Sequence, residues 1–135
     1  MFDKGIHETH CGDQHNAKFH PLELVVGDDL FYCYFERVAE RGLWFFFVRL
    51  VAGKEEASKF TSRILLGKAN LDRNSLNLAE LEFRGKVAHY GITRDEIKSK
   101  GMVLTVADEV LLSFKAENIL FRVWFKVEKA LSTIT

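Results

Sequence analysis

The apolar positions of this chain fall mostly in short runs, and several of those runs alternate with polar residues at a period of two. Alternation of that kind marks half-buried strands, because successive side chains of a strand point to opposite faces. Pro21 opens a first apolar stretch over residues 22–26, and Gly27-Asp28-Asp29 ends it as a turn. The most aromatic part of the chain follows. Residues 30–38 hold Phe31, Tyr32, Tyr34 and Phe35, and residues 43–51 hold Trp44, Phe45, Phe46 and Phe47. Aromatic enrichment at this length predicts two strands, and the short polar break at Arg41-Gly42 predicts a hairpin between them. The second run is apolar on both faces. Such a strand lies centrally in a sandwich or is covered on its outer face by another protein surface.

Residues 53–58 predict a polar connector of about one helical turn. Residues 60–66 read as a further strand, with a turn at Gly67-Lys68. Residues 76–83 alternate with a change of parity near Ala79-Glu80, which predicts a bulge. Thr93 and Glu96 form a capping-box pattern for a helix over 94–100, with Gly101 as its stop. Residues 102–106 predict a short strand, and Asp108 is placed to cap a second short helix through residue 114. The last strand spans residues 118–127. There Ile119, Phe121, Val123, Phe125 and Val127 share one face, and Leu120, Arg122, Trp124 and Lys126 share the other. The sum is six or seven strands and two short helices, without a βαβ rhythm. The expected class is all-β, an antiparallel sandwich closed by pairing apolar sheet faces.

Composition narrows the function. A length of 135 residues suits one domain, with 47% hydrophobic and 28% charged residues as in ordinary globular proteins. A formal net charge of zero argues against nucleic acid as the main partner, since phosphate binding needs a basic surplus. The longest apolar run, residues 43–48, is far short of the roughly 20 residues that span a bilayer. The start of the chain lacks the pattern of a signal peptide, and only two cysteines, Cys11 and Cys33, are present. These features predict a reducing setting, cytoplasmic or nuclear. Residues 1–20 stand apart, with four histidines (His7, His10, His15 and His20) and Cys11. They are expected to be a histidine-rich linker or the remnant of a zinc finger, ahead of a domain over 21–130.

Several segments in a fixed order carry a family resemblance. Tyr34-Phe35-Glu36-Arg37 is an apolar strand ending in an acid–base pair. Phe45-Phe46-Phe47-Val48-Arg49-Leu50-Val51-Ala52-Gly53 is a strand with a glycine exit. Glu56-Ala57-Ser58-Lys59-Phe60 and Arg63-Ile64-Leu65-Leu66-Gly67 form a connector and its strand. Met102-Val103-Leu104 leads to Leu112-Ser113-Phe114-Lys115-Ala116-Glu117-Asn118. From about Leu30 to Val127 this ordered set resembles the C-terminal substrate-binding domain of the seven-in-absentia (Siah) ubiquitin ligases, a TRAF-like sandwich. The related cysteine-and-histidine-rich proteins with TRAF-type zinc fingers share it. The resemblance implies a module that dimerises and receives extended peptides of partner proteins, in a parent carrying RING and zinc fingers. The chain contains no RING, so no enzymatic activity is expected of it. Residues 22–26 stand where the family's groove strand lies but do not match its aromatic and methionine pattern. The resemblance therefore carries the fold and the role, not the peptide contacts.

Candidate residues follow. Pro21, Leu22, Glu23, Leu24, Val25 and Val26 are the expected peptide-binding edge, because proline is tolerated at strand starts and edges. Substituting Leu24 by Glu is expected to block that edge without disturbing the fold. Trp44 and Phe46 are expected at a homodimer interface as well as in the core, since such interfaces are commonly apolar. His7, His10, Cys11 and His15 have zinc-like spacing but lack the usual cysteine pair, so the expectation is no cofactor, with zinc as the exception. Lone His89 has no recognisable catalytic partner. Cys33 between two tyrosines reads as a small apolar residue. Glu80 and Glu82 read as a solvated face or a protected edge. The alternative functions are a small β-barrel binding an apolar ligand within the aromatic block, and a purely structural dimerisation domain.

Overall fold

Among the described residues, eight strands and three short helices follow one another along the chain. A computed structural model describes the backbone of residues 5–11 and the whole of residues 21–68, 79–115 and 121–129. The strands are β1 (Gly5–Cys11), β2 (Leu22–Val26), β3 (Asp29–Val38), β4 (Leu43–Leu50), β5 (Phe60–Gly67), β6 (Leu81–Lys86), β7 (Leu104–Ala107) and β8 (Phe121–Lys129). The helices are α1 (Lys54–Ala57), α2 (Arg94–Ser99) and α3 (Asp108–Leu112), and a 3-10 turn covers Ala39–Arg41. The strands form two four-stranded antiparallel sheets, ordered β1-β8-β5-β6 and β2-β3-β4-β7. The all-β sandwich is therefore the architecture. Among the described residues no helix is long and apolar enough to cross a membrane.

The inner faces are the alternating apolar positions. Leu24, Val26, Phe31, Cys33, Phe35, Trp44, Phe46, Val48 and Leu50 come from one sheet. Ile64, Leu66, Phe121, Val123, Phe125 and Val127 come from the other. Edge-to-face aromatic pairs bridge the layers: Trp44 to Phe121 at 5.3 Å, Phe46 to Phe121 at 5.7 Å and Phe31 to Phe60 at 5.0 Å between ring centres. Each such pair contributes about 1 kcal/mol beyond its area.

The doubly apolar β4 is central, between β3 and β7, and its outer face is covered by the chain's own α2 region. Phe47 packs there with Ala88, Ile92, Ile97 and Met102. The capping box is present: Thr93 Oγ1 accepts the Glu96 N–H and Glu96 Oε1 accepts the Thr93 N–H. At the other end Gly101 takes φ 69°, and its N–H and that of Met102 donate to the carbonyls of Lys98 and Ile97. This Schellman closure returns the chain to the sheet.

Three expectations are corrected. Residues 5–11, read as linker or finger remnant, are strand β1, paired antiparallel with β8 from Gly5↔Val127 to Cys11↔Phe121. Ala79 and Glu80 lie ahead of β6 rather than within it, and the strand runs on to Lys86. The one-turn connector expected over residues 53–58 is present as α1. Asp108 does not cap α3; Ala107 occupies that position, and the Asp108 carboxylate turns instead to Arg37 and Trp44.

Candidate peptide-docking edge

β2 is an edge strand, and among the described residues no strand pairs with its outer side. Its position follows from three local choices. Pro21 stands just before it, where a missing N–H removes nothing from a ladder. Gly27 takes φ 62° and starts the two-residue turn Gly27-Asp28 into β3. The register then runs from Val26↔Asp29 to Leu22↔Cys33. In a two-residue hairpin the pair that closes the turn is hydrogen-bonded, and pairs alternate from there. Val26, Leu24 and Leu22 therefore spend their N–H and C=O groups on β3. Glu23 and Val25 direct theirs to the open edge.

Side chains alternate in the same rhythm. Leu24 is 5% exposed and Val26 6%, both in the core, whereas Glu23 is exposed and Val25 is 64% exposed. The expectation for Leu24 is thereby corrected: a glutamate there buries a charge in the sandwich and tests folding, not the edge.

Two cross-strand rows lead away from this edge on the outer face. One is Glu23–Tyr32–Arg49, by the registers Glu23↔Tyr32 and Tyr32↔Arg49. The next is Val25–Leu30, which meets Val51 where the Val51 N–H donates to the Leu30 carbonyl at 3.0 Å. Val51 is 39% exposed, and the adjoining Tyr90, 59% exposed, is tied to Ala52 by its N–H at 2.9 Å. Deeper along the face the side chains pack on one another within the chain. Tyr34 stacks on Phe47 at 4.5 Å, and the guanidinium groups of Arg49 and Arg94 lie 5.5 and 5.4 Å from the Tyr34 ring centre. Arg94 also forks onto Glu36, with Nη2 to Oε2 at 2.6 Å, which raises the guanidinium pKa first through that hydrogen bond. Arg49 Nη2 donates to the Ile92 carbonyl at 3.1 Å.

Compared with models of known protein families and with curated proteins, the chain matches none.

The other expected site residues are dispersed. Trp44 and Phe46 are both 0% exposed between the sheets, so neither can reach a second subunit; the dimer-interface expectation for them is corrected. Among the described residues the strands of the aromatic block, β3 and β4, belong to one of two separate sheets. His7, His10 and Cys11 are ladder positions of β1, opposite Phe125, Arg122 and Phe121, and His15 lies outside the described residues. Cys33 is wholly buried, and that burial pushes its thiol up to about 12, which leaves it protonated and inert. His89 is in the loop between β6 and α2, where its carbonyl accepts the Ile92 N–H at 3.3 Å. Glu80 and Glu82 do not share a strand. The Glu80 N–H donates to the Leu66 carbonyl, while Glu82 receives Arg63 Nε at 3.0 Å and Arg84 Nε at 2.9 Å. The Arg63 bond, then the Arg84 bond, holds the Glu82 carboxyl below its usual range.

This arrangement makes β6 a guarded edge: Glu82, Arg84 and Lys86 project outward in sequence, and the first two are locked in an ion network. β2 differs, with one carboxylate and one exposed valine at its outward positions. Sequence reasoning located this strand but not its orientation. The two-residue turn at Gly27-Asp28 was the signal that fixes which residues face out.

Proposed function

We propose that this chain is a partner-recognition module that receives extended peptides of other proteins by strand addition along β2. It acts without catalysis of its own, as a homodimer whose interface lies outside the aromatic block, within a Siah-like ubiquitin ligase or a TRAF-like scaffold. The observation that carries the reading is the outer edge of β2, where no strand pairs among the described residues and the backbone groups of Glu23 and Val25 point outward. An added strand satisfies them with main-chain hydrogen bonds, while alternate side chains meet the flanking rows. The ordered segments that resemble the Siah family support the role, since that resemblance implies a sandwich that binds peptides. No metal is required, so a chelator leaves binding unchanged.

The test uses the full chain and a random peptide library. Peptides selected on the wild type should lose at least about tenfold in affinity for Val25→Pro. Proline removes an outward donor and adds bulk at the edge, yet leaves the β2–β3 ladder intact. Circular dichroism checks that the fold is kept. Failure to select any peptide, or equal binding by the variant, overturns the reading.

A further inference from the structure

Resting on strand addition at β2, we infer that the bound segment is an apolar residue followed two positions later by a basic one. Glu23 carries the argument. The outer face beside the open edge holds two carboxylates, Glu23 and Glu36. Arg94 occupies Glu36 with three contacts, the shortest 2.6 Å. Glu23 is exposed and has no cationic partner among the described residues, and its cross-strand neighbour is Tyr32. Its companion at the outward positions is Val25, in the row with Leu30 and Val51. A strand laid along β2 places one residue beside Val25 and another beside Glu23 on this face, with one residue between them pointing the other way.

Antiparallel pairing, the more stable arrangement, fixes the order. The incoming chain meets Val25 first and Glu23 second, which reads apolar, any residue, lysine or arginine. Opposite charges directly across a ladder attract and like charges repel. The apolar residue extends the Val25 row and removes it from water.

Two threonine-rich nonapeptides test this with the full-length chain. One carries isoleucine and, two residues later, lysine; its twin carries glutamate in place of lysine. At low ionic strength the lysine peptide should bind the wild type about fivefold more tightly than the glutamate peptide. Glu23→Lys should invert that preference, and about 0.5 M salt should compress it. Both peptides should lose binding to Val25→Pro. Equal affinity for the twins, with binding still lost in Val25→Pro, overturns this inference and leaves strand addition standing. Binding of both peptides that survives Val25→Pro overturns strand addition as well. Failure of both peptides to bind the wild type overturns the apolar-then-basic rule, while library selection judges the edge separately.

Discussion

Arg37 grips Asp108 across 71 positions of sequence, with Nε to Oδ1 at 3.0 Å and Nη2 to Oδ2 at 2.6 Å. The same carboxylate accepts the Trp44 indole N–H at 3.0 Å, and the Asp108 N–H donates to the Gly42 carbonyl at 2.9 Å. One side chain thus ties β3, β4 and the start of α3 together and satisfies a buried indole. Asp108→Ala should destabilise the fold by about 2 kcal/mol in urea unfolding at neutral pH, because charge-assisted bonds are lost and Trp44 Nε1 loses an acceptor.

The same contact sets a pH dependence. The Arg37 hydrogen bond, ahead of the other causes, holds the Asp108 carboxyl below its ordinary value of 3.8. A depressed carboxyl contributes stability above the unfolded value, and that contribution is lost as pH falls through the folded one. Wild type should therefore lose more stability between pH 5 and pH 2 (about three units) than Asp108→Asn does. Parallel urea curves at the two pH values measure the difference, and equal losses would deny the linkage.

Neighbouring residues of β2 should behave in opposite ways. Leu24→Glu places a charge in the core, and thermal scans should show a loss of several kcal/mol or no folded state. Val25→Glu alters an exposed side chain, so its stability should stay within about 0.5 kcal/mol of wild type. Its affinity for an apolar-containing peptide should nonetheless fall.

Phe46→Ala separates core from interface. A fully buried phenylalanine replaced by alanine costs about 3–5 kcal/mol. Light scattering on the fraction that remains folded should give the wild-type mass. Full stability with a halved mass would restore Phe46 to a subunit contact.

Much of this was legible in the sequence because alternation is a local property. The inward set Phe121, Val123, Phe125 and Val127 and the box Thr93–Glu96 are read from neighbours alone. What covers Phe47 was not legible. Its partners Ala88, Ile92, Ile97 and Met102 come from a loop, a short helix and a second loop, with no single period among them. The doubly apolar β4 therefore looked like an interface. The role of Asp108 is hidden for a related reason, since a cap is local and its true partner, Arg37, is far away in the chain. β1 lacks the aromatic and β-branched density of the other strands, and its state comes from pairing with β8.

Cys33 offers a check on the core. In a Cys11→Ser background the one remaining thiol should resist a water-soluble disulfide reagent at pH 8 and react at the rate of unfolding. Burial has raised its pKa to about 12, so almost no thiolate is present in the native state. Immediate reaction without denaturant would place Cys33 at the surface.

The decisive observation is amide hydrogen exchange at β2, residue by residue, with and without a library-selected peptide. The N–H groups of Glu23 and Val25 point to the open edge and should exchange quickly in the free chain. They should slow by at least about tenfold on binding, while those of Leu24 and Val26, already bonded to β3, change little. Protection confined to other strands, with Glu23 and Val25 unchanged, would contradict recognition by strand addition at this edge.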